Sequence, residues 1–167
     1  MAPLYPAGLP GGYISLATAI AYWLHRHRRS GGTRILASAW AGWLVHRAVK
    51  LGYRRMRPPR PGERARFDSF PSGHTTGATA FALTTAAVLC RERVLSSEQA
   101  LAGAALASLT MGAYRVIADD HWATDVIGGW LLGGAVAACC APRVRSTAAS
   151  RRASRRRSRR EARTFAA

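Results

Sequence analysis

The stretch RVIADDHWATDVIGGWLLGGAVAACCA, residues 115–141, decides how the rest of the chain is read. It opens on Arg115, sets His121 and Asp125 four residues apart, and runs on without a further charge to Ala141. From Trp122 to Ala141 it is about long enough to cross a hydrocarbon layer of ~30 Å at 1.5 Å per residue. Residues able to carry chemistry therefore stand at the mouth of an apolar helix of membrane length.

Four more apolar stretches lie upstream, near residues 11–24, 35–49, 77–90 and 98–114. They are rich in Ala, Gly, Leu and Thr, small residues that let helices approach closely where lipid gives no hydrophobic drive. The fold class expected is all-α: an integral membrane bundle of about five transmembrane helices over residues 1–142. A buried core in a soluble protein is disfavoured, because 167 residues cannot readily cover five such helices with polar surface. The first 25 residues hold no Lys or Arg, so no cleavable secretion signal is expected. Cys90, Cys139 and Cys140 are odd in number, lack metal-type spacing, and read as free thiols.

The formal charge of +17 is unevenly placed. Residues 143–167 are Arg- and Ser-rich with almost no apolar bulk, and are expected to be disordered and to lie on anionic lipid. No aromatic residues interleave with those cations as base stacking would require, so a nucleic-acid partner is not expected. Of the 25 basic residues, 16 fall with the tail on one side of the bundle and 9 on the other. Positive charge favours the cytoplasm, which sets the tail inside and the opposite connectors outside a plasma membrane.

Those opposite connectors carry three ordered patterns. They are Lys50-x6-Arg57-Pro58, Pro71-Ser72-Gly73-His74 and Arg115-x5-His121-x3-Asp125. Lys50, Arg57 and Arg115 supply the charge that phosphoryl transfer needs on the equatorial oxygens. A continued helix would place Lys50 and Arg57, seven apart, on one face. Ser72 and Gly73 precede an apolar helix whose N-terminal amides suit an anion; Ser72 is equally readable as an N-cap. Asp125, one helical turn from His121, can accept an imidazole N–H and leave the other nitrogen free to attack phosphorus. Arg54, Arg55, Arg60, Arg64 and Arg66 read as ordinary interfacial cations; Asp119 and Asp120 read either as tuning Arg115 or as facing water, the second being preferred. His25, His27 and His46 read as structural.

In order and spacing the three patterns resemble those of the type 2 phosphatidic acid phosphatases, a lipid phosphate phosphatase family related to the vanadium haloperoxidases. The resemblance implies His121 as nucleophile, His74 as general acid, Asp125 as the orienting carboxylate, and Lys50, Arg57, Ser72, Gly73 and Arg115 around the phosphate. It implies no metal and no cofactor. A serine usually precedes the third-pattern arginine; here it is Tyr114. The family core usually has six helices. One N-terminal helix is therefore missing from this reading, leaving a groove for lipid or a second copy of the chain. The substrate implied is a lipid-linked phosphate or diphosphate. Two rival expectations are a vanadate-dependent peroxidase using the same cradle, and a non-enzymatic polybasic membrane adaptor.

Overall fold

The structure is a computed structural model, and it describes residues 10–62 and 64–142. The expected tail, residues 143–167, lies outside the described residues. Five helices follow one another: α1 (Pro10–Arg26), α2 (Gly32–Gly52), α3 (Gly73–Arg91), α4 (Ser97–Ile117) and α5 (Ala123–Cys140). No strand occurs among the described residues.

Local sequence explains where several helices begin and end. At the start of α4, Ser96 and Gln99 form a capping box: Gln99 N donates to Ser96 Oγ at 3.1 Å, and Ser96 N to Gln99 Oε1 at 3.0 Å. Gly31 precedes α2 with φ 92°, a left-handed conformation that glycine adopts without steric cost. Helix α2 stops at Gly52, and Tyr53 is already extended at φ −116° and ψ 106°. Arg57 is thus reached through an extended loop. The expected single helical face for Lys50 and Arg57 does not form, because a Gly at the helix end gives up ~1 kcal/mol of helix propensity relative to Ala.

Helix α3 is the centre of the bundle and packs against each of the other four. Small residues set how close it comes to α5. A Cβ at Gly133 would stand 2.6 Å from Thr76 O, and one at Gly129 would stand 3.0 Å from Ser72 O. Thr75 and Thr79 line the same seam, and Thr75, Thr76, Thr79 and Thr84 are all buried. An apolar cluster of Tyr13, Ala17, Leu24, Ile35, Ala39 and Val88 joins α1, α2 and α3.

Helices α4 and α5 are long and apolar enough to cross a membrane, yet only 28% and 33% of their most apolar windows are buried. The core helix of a soluble protein would be mostly buried. Instead Leu101, Leu106, Leu109 and Leu131 are exposed, as side chains in contact with lipid would be. Cys90, Cys139 and Cys140 are free thiols.

Alternation of helix direction brings the C-termini of α2 and α4 and the N-termini of α3 and α5 to one end. The other end is tied by Arg29, which donates to Glu92 O, and by Arg34, which donates to Cys140 O at 3.1 Å. At the first end the 53–72 loop folds on itself, Arg57 N donating to Arg66 O and Ser69 N to Arg55 O, each at 2.9 Å. It is held over the α4–α5 turn by Trp122 Nε1, which donates to Met56 O at 2.8 Å.

Candidate active site

Lys50, in the last turn of α2, sets its ammonium on the 53–72 loop: Nζ donates to Asp68 O at 2.6 Å and lies 3.9 Å from Asp68 Oδ2. Arg57 meets the same aspartate with two arms, Nε to Oδ1 at 2.8 Å and NH2 to Oδ2 at 3.0 Å. Its remaining nitrogen, NH1, donates to Asp120 O at 3.2 Å. Partial burial raises the Asp68 carboxyl, but the hydrogen bonds and charge of Arg57, with Lys50 and Arg66 behind them, outweigh it and carry it down to about 2. Two cations expected from sequence therefore share one carboxylate.

The third cation, Arg115, is 4% exposed and pairs through NH2 with Asp120 Oδ2 at 2.7 Å. Asp120 Oδ1 in turn takes Arg60 NH2 at 2.7 Å, and Arg60 also donates to the carbonyl of Ala118. Asp120 thus links three arginines through its side chain and its carbonyl. The expectation that it faces water is corrected, because its position between Arg60 and Arg115 leaves it only 14% exposed. Asp119, beside it, is exposed.

Pro71-Ser72-Gly73-His74 turns the loop into α3, with a cis Phe70–Pro71 peptide. Ser72 is fully buried; its Oγ lies 2.9 Å from Thr75 Oγ1 and makes no bond to the helix amides. The first N–H groups of a helix have no intrahelical acceptor, so they remain available to an anion. Gly73 is there because a Cβ would stand 2.7 Å from the ring of His46. His46, read as structural, is buried against this turn, its Nδ1 3.1 Å from Gly42 O. His74 Nε2 is buried and makes no hydrogen bond among the described residues.

His121 is 2% exposed and Asp125 fully buried. Their nearest approach, Nδ1 to Oδ2, is 3.7 Å, so they face each other without the expected hydrogen bond. Oδ2 is taken instead by Ser69 Oγ and by Trp122 N at 2.9 Å, while Oδ1 takes Arg55 NH1 at 3.0 Å. Burial first, then the positive charges of Arg57, Lys50 and Arg115, push the His121 imidazole down to about 2. It is neutral and keeps one ring nitrogen as a lone-pair donor.

All eight expected residues thus gather at one end of the bundle. Sequence reasoning missed Arg55, Arg60, Asp68 and Ser69, and for Asp120 preferred water over the Arg115 contact that the structure shows. Ser69 and Asp68 lie two and three residues before Pro71, and Asp120 lies inside the third pattern beside His121, which is the signal that was present. Nothing in the sequence separates Arg55 and Arg60 from the arginines around them.

Three comparisons with known proteins agree with this arrangement. Residues 32–147 match the model of the PAP2 superfamily. Lipid A 1-phosphatase of Porphyromonas gingivalis is 40% identical over 98 residues, 59% of this chain and 20% of that protein. The solved structure of a transmembrane PAP2 type phosphatidylglycerolphosphate phosphatase from Bacillus subtilis superposes with a TM-score of 0.63 at 26% identity. That match covers 76% of this chain and 64% of the other, so this chain spans less than two thirds of either relative. With a family match over most of its length, and with the residues of all three patterns gathered at one end of its helices, the chain belongs to the PAP2 superfamily.

Proposed function

We propose that the chain is a membrane phosphatase that removes phosphate from a lipid-linked substrate, without a metal, through a phosphohistidine at His121. One observation carries the reading. Lys50, Arg57 and Arg115 converge with two largely buried histidines at one end of an apolar bundle. The names of the two relatives, a lipid A phosphatase and a phosphatidylglycerolphosphate phosphatase, support a lipid phosphate as substrate.

In this mechanism the phosphate oxygens lie on the three cations and on the amides at the start of α3, where negative charge is favoured. His121 keeps its proton on Nδ1, facing Asp125, so the Nε2 lone pair attacks phosphorus. The N–P bond forms and the P–O ester bond breaks, with His74, protonated when the negatively charged phosphate lies beside it, giving that proton to the leaving oxygen. Water then attacks phosphorus, His74 takes a proton from it, and the N–P bond breaks to release phosphate. The lipid stays in the bilayer while its head group reaches the cradle. The class comprises polyprenyl phosphates and diphosphates, polyprenyl-linked sugar phosphates and glycerophospholipid phosphates. The 16-to-9 charge bias favours a multi-pass plasma membrane protein with this site outside the cytoplasm.

The test is phosphate release from these lipids in detergent with excess chelator. Release that persists supports the reading. Release that needs added magnesium contradicts it.

A further inference from the structure

We propose that Arg55, which falls in the unspecified spacer between Lys50 and Arg57, is a positioning residue for His121 and acts through Asp125. The inference rests on the proposed phosphatase reading. Asp125 is fully buried, and a buried carboxylate is costly unless it is paired and hydrogen-bonded. Of the two groups of possible positive charge beside it, His121 stands at 3.7 Å and is neutral, whereas Arg55 NH1 stands at 3.0 Å. Arg55 is therefore the cation that compensates Asp125 before reaction begins.

The contacts close a ring. Arg55 NH1 donates to Asp125 Oδ1, Ser69 Oγ to Asp125 Oδ2, and Ser69 N back to Arg55 O at 2.9 Å. Arg55 NH1 also donates to Thr124 Oγ1 at 2.7 Å, on the same first turn of α5. The carboxylate is fixed from three directions, with Oδ2 toward His121 Nδ1. Ser72 N donates to Asp125 O at 3.0 Å, so the same residue also anchors the turn that bears His74.

This arrangement matters when Nε2 bonds to phosphorus. The imidazole then becomes cationic, and its Nδ1–H needs an ionised acceptor already in place. Arg55 balances that acceptor's charge and keeps it aimed. Arg57, two residues on, turns instead to Asp68 and Asp120. Neighbouring arginines in one loop are thus divided between the nucleophile and the phosphate cradle.

The test is a double-mutant cycle with Arg55→Gln, Asp125→Asn and both together, with kcat and KM measured on one lipid phosphate. Residues that orient metal-ligating side chains are typically worth about 10–100-fold in activity, and the same scale is taken for a residue that orients a catalytic carboxylate. Arg55→Gln is expected to lose that much in kcat, with KM changed by less than about threefold, and Arg55→Lys to recover most of it. In the Asp125→Asn background, Arg55→Gln should cost nothing further, because the charge it served is gone. The neutral double variant also leaves no uncompensated buried charge, so it keeps the test open if Arg55→Gln alone fails to fold. Equal losses in both backgrounds, or a loss confined to KM, overturn the inference. If the unaltered enzyme releases no phosphate, the function has failed, and 15N shifts of the His121 ring decide the inference instead. Arg55→Gln should alter its Nδ1–H tautomer population and Arg55→Lys should not; no change in either overturns it.

Discussion

Asp68 holds Arg57 by the side of its guanidinium, Oδ1 on Nε at 2.8 Å and Oδ2 on NH2 at 3.0 Å. The same residue takes the Lys50 ammonium on its carbonyl. A paired carboxylate inside a cationic site lowers the repulsion among Lys50, Arg57 and Arg66 while no substrate is bound. It also leaves further N–H groups of Arg57 for phosphate, since the guanidinium has five donors.

Asp68→Asn is expected to be less stable in detergent at neutral pH by about 1 kcal/mol, a value discounted because the side chain is 48% exposed. The carboxyl falls from 3.8 to about 2 on folding, so its contribution is fully present above 3.8 and is lost as pH falls through about 2. Melting temperatures of the two proteins should therefore differ at pH 6 and converge toward pH 2. A gap independent of pH would rule out the Arg57 ion pair as its source.

Asp120→Asn removes the carboxylate that Arg60 and Arg115 share at 2.7 Å each. Loss of orientation at Arg115 should lower kcat by about tenfold, and vanadate, a trigonal-bipyramidal mimic of the transition state, should bind more weakly in step. Unchanged kcat and unchanged vanadate inhibition in this variant would place Asp120 outside the cradle.

Gly73→Ala puts a Cβ 2.7 Å from the buried ring of His46. Activity should fall, and adding His46→Ala should restore part of it by making room. No recovery in the double variant would show that Gly73 serves the backbone approach to phosphate alone.

Topology is open to labelling after Cys90, Cys139 and Cys140 are replaced. A cysteine at Arg64, exposed on the 53–72 loop, should react with an impermeant thiol reagent on intact cells, and one at Arg26 should not. The opposite pattern would move the site to the cytoplasmic face.

The five helices and the gathering of Lys50, Arg57, His74, Arg115 and His121 were legible because each pattern sits at an end of an apolar segment. Alternating helix direction does the rest. The end of α2 at Gly52 was not legible, since the next proline after α2 begins comes only at position 58. Nor was the division of labour among the loop arginines. Arg54 and Arg55 are the same residue in the same local sequence, and only tertiary placement gives one of them Asp125. The His121–Asp125 spacing suggested a hydrogen bond, and the structure shows 3.7 Å because Ser69 and Trp122 already occupy Oδ2.

The central claim is that phosphorus passes through His121, and trapping the intermediate tests it most directly. A 32P-labelled lipid phosphate, mixed with enzyme and quenched in alkali within one turnover, should leave alkali-stable, acid-labile label on the peptide containing His121. His121→Ala should show neither label nor turnover. Label on another residue, or turnover by His121→Ala near that of the unaltered protein, would contradict the account.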